Sequence, residues 1–285
     1  MFPSVATNDA TAVEVAVQQA YLGMFPQGDP LFVPRIFGWA IECFTGGHPG
    51  YQPIDALYHD FEHTLQGTLC MARLLHGRHL AGQNPPLPQR MFQLGLIGIL
   101  LHDTGYLKKR NDTTGTGAKY TVVHVERSAE FAASLLAEKS FSPGEIRSVQ
   151  NMIHCTGVDA ALATIHFQGE AEQTVGHALG TADLLGQMAA GDYPEKLEVL
   201  FAEFAEAAKG LKDRTHFICL FHSARDIMQK TPGFWEKYVL PKLTKDFGGL
   251  YRFLSVPYPY GPNQYLQKVE TNMRRIIQRL DAMQM

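Results

Sequence analysis

Six residues able to bind a divalent ion recur along the chain in order: His63, the doublet His102-Asp103, His124, His154 and Asp183. Imidazole nitrogens and carboxylate oxygens suit Mn, Fe, Co, Ni or Mg, whereas a structural zinc site more often draws on cysteine. His59 stands four residues before His63, a spacing that on a helix puts the two rings about 40° apart on one face. Seen alone, His102-Asp103 favours a structural pair. The series points to a metal centre, because helices converging on one core can each supply a donor to one or two ions. Neighbouring residues cannot share a helix face, so the doublet must lie near a helix end, and Gly105 offers that ending.

The elements that must hold these donors read as helices throughout. Expected helices span 6–24, with Asn8 or Asp9 as cap, and 30–44, interrupted by Pro34. A third, 51–80, carries His59 and His63. After a loop at 82–88, the apolar run Phe92, Leu94, Leu96, Ile97, Ile99, Leu100 and Leu101 makes a buried helix leading into the doublet. His124 and Ser128 fall on 121–139, and Ser128 is expected to bond its own helix backbone or a phosphate. The capping box Ser142-Pro143-Gly144-Glu145 starts the helix of His154, and Asp183 lies on 173–190. Further helices are expected at 194–209, 214–229, 234–247 and 263–283. No alternating strand, hairpin signal or repeat interrupts them, so the fold class is all-α: a helical bundle with additional N- and C-terminal helices. Residues 1–50 form the N-terminal extension, 51–191 the metal-binding core and 192–285 C-terminal helices packed on it in one compact unit.

This ordered set resembles the HD-domain metal-dependent phosphohydrolase superfamily, which includes the cyclic-nucleotide phosphodiesterases, over roughly 51–191. The resemblance implies an HD-domain bundle with His63, His102, Asp103 and Asp183 as ligands. It also implies His124 and His154 as the added ligands of two-metal members, and Asp103 as the bridging carboxylate. Tyr58-His59-x-x-x-His63 resembles the phosphodiesterase motif whose first histidine protonates the leaving oxygen, which gives His59 the role of general acid, oriented by Asp60 or Glu62. Asp60 stands where that motif has asparagine. Tyr106 replaces the lysine of the cyclic-dinucleotide branch, and its Gly-Tyr-Pro signature is missing, so a cyclic dinucleotide is not assigned.

Two divalent ions sharing a carboxylate and a water would yield hydroxide near neutral pH and stabilise a phosphorane-like transition state. The expected activity is therefore metal-dependent hydrolysis of a small phosphoester, of nucleotide type, by a phosphodiesterase-like enzyme. A phosphomonoesterase or nucleotidase, a di-iron oxygenase and a nucleotide-sensing module without turnover are the alternatives on the same scaffold. No Gly-x-Ser-x-Gly elbow or local Cys-His signature supports a nucleophilic enzyme.

Bulk properties narrow the partners. With 25 Lys+Arg against 28 Asp+Glu, a net charge of −3 gives no footprint for a nucleic acid polymer and no polybasic membrane anchor. No apolar run reaches the length of a membrane span and no basic-then-apolar leader opens the chain, so the expected compartment is the cytoplasm. Cys43, Cys70, Cys155 and Cys219 are scattered and expected to be reduced and buried. The polar, glycine-containing stretch 108–119 reads as a mobile surface connection, with Lys108 and Lys109 as solvated charges. His48, His76, His79, His166, His177, His216 and His222 read as surface or core residues. Phe217, Ile218, Leu220 and Phe221 read as core, and Tyr258 and Tyr260 as packing residues or a pocket rim. The C-terminal helices are expected either to cover the pocket or to form a homodimer.

Overall fold

A computed structural model describes residues 2–158, 160–213 and 216–283, and it is all-helical. Its helices are α1 (Ala10–Met24), α2 (Phe32–Phe44), α3 (Phe61–Leu80), α4 (Gln89–Leu101), α5 (His124–Glu138), α6 (Pro143–Ile153), α7 (Glu170–Met188), α8 (Tyr193–Lys209), α9 (Ala224–Phe234) and α10 (Gln264–Ala282). Among the described residues there is no β-strand, only the isolated bridges Tyr51 to Lys109 and Ser255 to Asn263.

α4 is the axis of the bundle. Every residue from Phe92 to Leu101 is buried, as expected of a helix that is apolar on all sides. Each fully buried Leu or Ile contributes roughly 1.5–3 kcal/mol, so this helix anchors whatever hangs from its end. It packs against α2, α3, α6 and α7, while α1 covers α3, and α10 packs on α7, α8 and α9. α3 and α7 lie in backbone contact: a Cβ on Gly186 would sit 2.8 Å from the Gly67 nitrogen and 2.9 Å from the Gln66 oxygen. Gly67 and Gly186 are each about one turn beyond a donor, His63 and Asp183, so this close approach brings the two donors face to face.

Local chemistry explains where the helices begin and end. Asp9 caps α1 by accepting from the Thr11 and Ala12 amides, and Ser142 and Glu145 form the full capping box of α6. The expected helix over 51–80 starts only at Phe61. Asp60 takes extended backbone (φ −88, ψ −177) and its carboxylate accepts from the His63 amide at 2.8 Å, making it the N-cap. His59 therefore precedes the helix, and the shared helical face expected for His59 and His63 does not exist. Toward the C-terminus, Ser223 caps α9, which starts later than the expected 214–229. Arg214 in that expectation, and Met1 at the N-terminus, lie outside the described residues. The helix expected over 234–247 is wound instead as two π-helical turns, Trp235–Val239 and Lys242–Asp246.

The stretch 108–119 is tied down, contrary to the expectation of a mobile connection. Lys108 is buried and paired with Asp55 at 2.8 Å, and it also donates to the Gly115 carbonyl. Glu206 on α8 accepts from both the Thr116 amide and its hydroxyl. Lys109 is exposed, as expected. No helix is long and apolar enough to cross a membrane among the described residues. The four cysteines are free; Cys43, Cys70 and Cys155 are buried and Cys219 is half-buried.

Candidate metal centre

Three helices and one turn deliver four donors to one buried point. His63 sits in the first turn of α3, positioned by its amide bond to the Asp60 cap. His102 is the C-cap of α4, and Asp103 follows it where the backbone leaves the helix (φ −109, ψ 8). This break lets adjacent residues point to one place. Asp183 lies in the middle of α7. His63 Nε2 is 3.2 Å from Asp103 Oδ2 and 3.3 Å from Asp183 Oδ1. His102 Nε2 is 3.4 Å from each of the same two oxygens. His63, His102 and Asp103 form a buried trio whose donor atoms all lie within 4.8 Å of one another.

The donor atoms are free to bind a cation. His102 Nδ1 is 2.7 Å from the Ile99 carbonyl, which fixes its proton on Nδ1 and leaves the Nε2 lone pair facing the cluster. His102 Nε2 and Asp103 Oδ2 are both fully buried and make no hydrogen bond of ordinary geometry. Buried polar atoms converging without partners are costly unless an ion or proton joins them, so the donor set fits a divalent cation. The same proximity governs protonation. Burial by itself lowers the His63 pKa, but Asp103 and Asp183 outweigh it and hold that ring at about 10. His102 is likewise raised by the two carboxylates against its burial. Both aspartates, although burial opposes it, are held well below the usual carboxylate range by the two histidines.

The turn after the doublet is clamped onto α5. Gly105 does not end α4; its role is close approach, since a Cβ there would overlap the His124 carbonyl and come within 2.8 Å of Ser128 Oγ. Ser128 accepts from the Gly105 amide at 2.8 Å, a role other than either expected for it, and Arg127 donates to the Gly105 and Leu107 carbonyls. His124, the first residue of α5, reaches Asp103 from the other side. Its Nε2 is 3.9 Å from Asp103 Oδ1, with its Nδ1 on the Thr121 carbonyl. Burial lowers the His124 pKa, keeping the ring neutral. Asp103 thus turns one oxygen to His63 and His102 and the other toward His124. His154 is not brought into this group. It caps the C-terminus of α6, one third exposed (32 %) on the wall of the adjoining cavity, with Nδ1 3.9 Å from Glu126.

His59 lies beside the cluster, its ring centroid 5.4 Å from that of His63. Asp60 and Glu62 do not orient it: the first caps α3 and the second accepts from Thr7 Oγ1. Glu203 on α8 does. Its Oε2 is 2.6 Å from His59 Nδ1, and its Oε1 accepts from the Tyr58 amide at 2.7 Å. Burial raises the Glu203 pKa, yet His59 and these amide bonds overcome that and keep it ionised. Sequence reasoning misses Glu203, although a signal exists: it breaks the apolar stripe Leu197, Leu200, Phe204, Ala207 of α8. Tyr106, fully buried, stacks on His59 at 4.4 Å and on His124 at 4.7 Å, and the two imidazoles are themselves 6.0 Å apart, so the three rings form one cluster. Tyr58 completes the surround through Gln187, which it bonds at 2.8 Å and which in turn donates to Asp183 Oδ1.

A cavity of about 990 Å³ opens from this cluster. His59, His63, Asp103, His124 and Asp183 form its floor, and α8, α9 and the 3-10 turn Phe217–Leu220 form one wall. Phe217 and Phe221, core residues by their sequence pattern, are half-buried wall residues, and His166 and His216 also reach the cavity. Tyr258 packs on Phe253, whereas Tyr260 is 97 % exposed, and neither rims this cavity.

No curated protein matches the chain. The model of the Npun_R2479-like family matches residues 50–252, a span that takes in every floor residue, Glu203 and the apolar wall. With most of its length matched, the chain belongs to the Npun_R2479-like family.

Proposed function

We propose that this protein is a metal-dependent phosphohydrolase of the HD-domain type, acting on a phosphodiester. The observation that carries this reading is the convergence of His63, His102, Asp103 and Asp183 at 3.2–3.4 Å beside a His59–Glu203 pair that opens onto the same cavity. His63, His102, Asp103 and Asp183 would hold a first divalent ion. Asp103, with its second oxygen toward His124, would be shared with another. When bound, such ions supply positive charge to the phosphoryl oxygens and acidify the attacking water.

The chain's own residues do the rest. Glu203, ionised, takes the His59 Nδ1 proton in a hydrogen bond and stabilises the ring when it carries both protons, which leaves Nε2–H as the donor. That proton goes to the departing alkoxide oxygen. An alkoxide leaves poorly without this assistance, from a diester or a monoester alike, and the diesterase reading rests on the resemblance of Tyr58-His59-x-x-x-His63 to the phosphodiesterase motif. Tyr106 fixes the plane of His59 by stacking and keeps it from swinging to the ligands.

Elemental analysis of protein prepared without added metal, followed by a screen of metal-reconstituted protein, tests the reading. The substrates are bis-p-nitrophenyl phosphate, p-nitrophenyl phosphate, cyclic mononucleotides and nucleoside phosphates. Bound metal with turnover of the diester fastest is the expected result. Failure to bind any divalent ion after reconstitution overturns it.

A further inference from the structure

The cavity is much larger than a phosphoryl group, and its composition says what fills it. At about 990 Å³ it stands at the upper end of small-molecule sites, which run roughly 300–1,000 Å³. Away from the floor, the wall is aromatic and aliphatic: Phe204 meets Phe217 edge-on and Phe221 at a tilt, both at 5.7 Å, with Leu200, Ile227 and Phe234 continuing the surface. Charged groups that would hold a polyphosphate are scarce. The lining cations among the described residues are Arg147 and Lys230, and Lys230 is already engaged by the Leu220 carbonyl (2.8 Å) and Asp226 (2.9 Å). Glu126 on α5 adds negative charge to the cavity lining. Beyond the floor, where bound metal would neutralise one phosphoryl group, the outer phosphates of a di- or triphosphate would find little positive charge other than Arg147.

We infer that the site takes an amphiphile: one phosphoester head on the floor and a long apolar body along the Phe204–Phe217–Phe221 wall. This deepens the phosphohydrolase reading and rests on it only for the identity of the head. The hydrophobic body supplies the binding energy, and the wall residues set specificity.

Calorimetric titration of the full-length protein with ethyl, hexyl and decyl phosphate and with AMP tests this, alongside turnover of the matching alkyl p-nitrophenyl diesters. Affinity is expected to climb about fourfold for each methylene fully buried against the wall, with decyl phosphate tighter than AMP. Phe217→Ala and Phe221→Ala, half-buried positions away from the floor, are expected to flatten that climb while leaving ethyl phosphate binding and metal content unchanged. Equal affinity across the chain-length series, or AMP binding tighter than decyl phosphate, overturns the inference. The two readings fail separately. Chain-length-dependent binding without hydrolysis of any ester removes the phosphohydrolase and keeps the apolar site, and hydrolysis indifferent to chain length does the reverse.

Discussion

The floor and the wall of the cavity are built in opposite ways. The floor hangs from α3, α4 and α7, helices in van der Waals or backbone contact, with His102 and Asp103 almost wholly buried. The wall comes from α8, α9 and a short 3-10 turn, with Leu220 54 % exposed and Phe217 and Phe221 half-buried. Position is stringent where ligands must converge within tenths of an ångström, and a close-packed core supplies it. Apolar contact tolerates looser placement, because it is non-directional. Changes in the floor should therefore abolish function, and changes in the wall should redirect it.

The largest effect is expected at the shared carboxylate. Asp103→Asn keeps the shape but removes the charge between His63, His102 and His124; metal content by elemental analysis should collapse and turnover fall by on the order of 10³-fold. Retained metal with that substitution would show that the floor does not depend on this group.

On a diester with an alkoxide leaving group, such as a cyclic mononucleotide, His59→Ala should lower turnover by about 10²-fold with metal retained, and Glu203→Gln by roughly 10-fold, as for a positioning partner. A pH–rate profile separates the two roles: the proton donor must be protonated to act, so Glu203→Gln should displace the high-pH limb and His59→Ala should erase it. Loss of metal in His59→Ala would instead make that ring a ligand.

Chelation gives a graded test of the floor. Without metal, His63 is raised from 6.5 to about 10, so its stabilising charge is complete below pH 6.5 and is lost as pH rises through about 10. Asp103 and Asp183, held low, contribute above the usual carboxylate range and lose that contribution as pH falls through their lowered values. Chelated protein should thus melt highest between about pH 4 and 6.5. Metal must displace the His63 proton, so its affinity should rise by about tenfold per pH unit from 6.5 toward 10. A pH-independent metal affinity over that window would contradict this arrangement of His63 between two carboxylates.

Gly186→Ala pushes a methyl group against the α3 backbone and should cost about 1–3 kcal/mol by thermal unfolding, with a loss of metal affinity as His63 and Asp183 part. At the small end, Tyr260→Ala, fully outside the cavity, should change stability by less than about 0.5 kcal/mol and leave kcat/KM untouched.

Much of the floor is legible in the amino-acid sequence. Apolar periodicity marks α4 as buried, the capping box marks the start of α6, and the order of histidines and aspartates picks out His63, His102, Asp103 and Asp183, because each of these signals is local. The Asp60 cap is hidden within a longer expected helix, since a helix-permissive sequence does not say which residue turns its carboxylate to an amide. His154 illustrates the same limit: spacing puts it on the right helix, but α6 ends at Ile153 and leaves the ring on the cavity wall.

Sequence alone determined that the chain is helical and which donors it owns, for both follow from residue type and short-range period. Tertiary structure decided the rest. Glu203 is 144 residues from His59 and meets it only because α8 folds back over the cluster. The aromatic wall, indistinguishable from core in a linear pattern, became a binding surface because burial depends on what packs opposite. The doublet itself stands between the two. Its types were written in the sequence, and the convergence of its two side chains came from the backbone break after α4 and the clamp of α5 on Gly105.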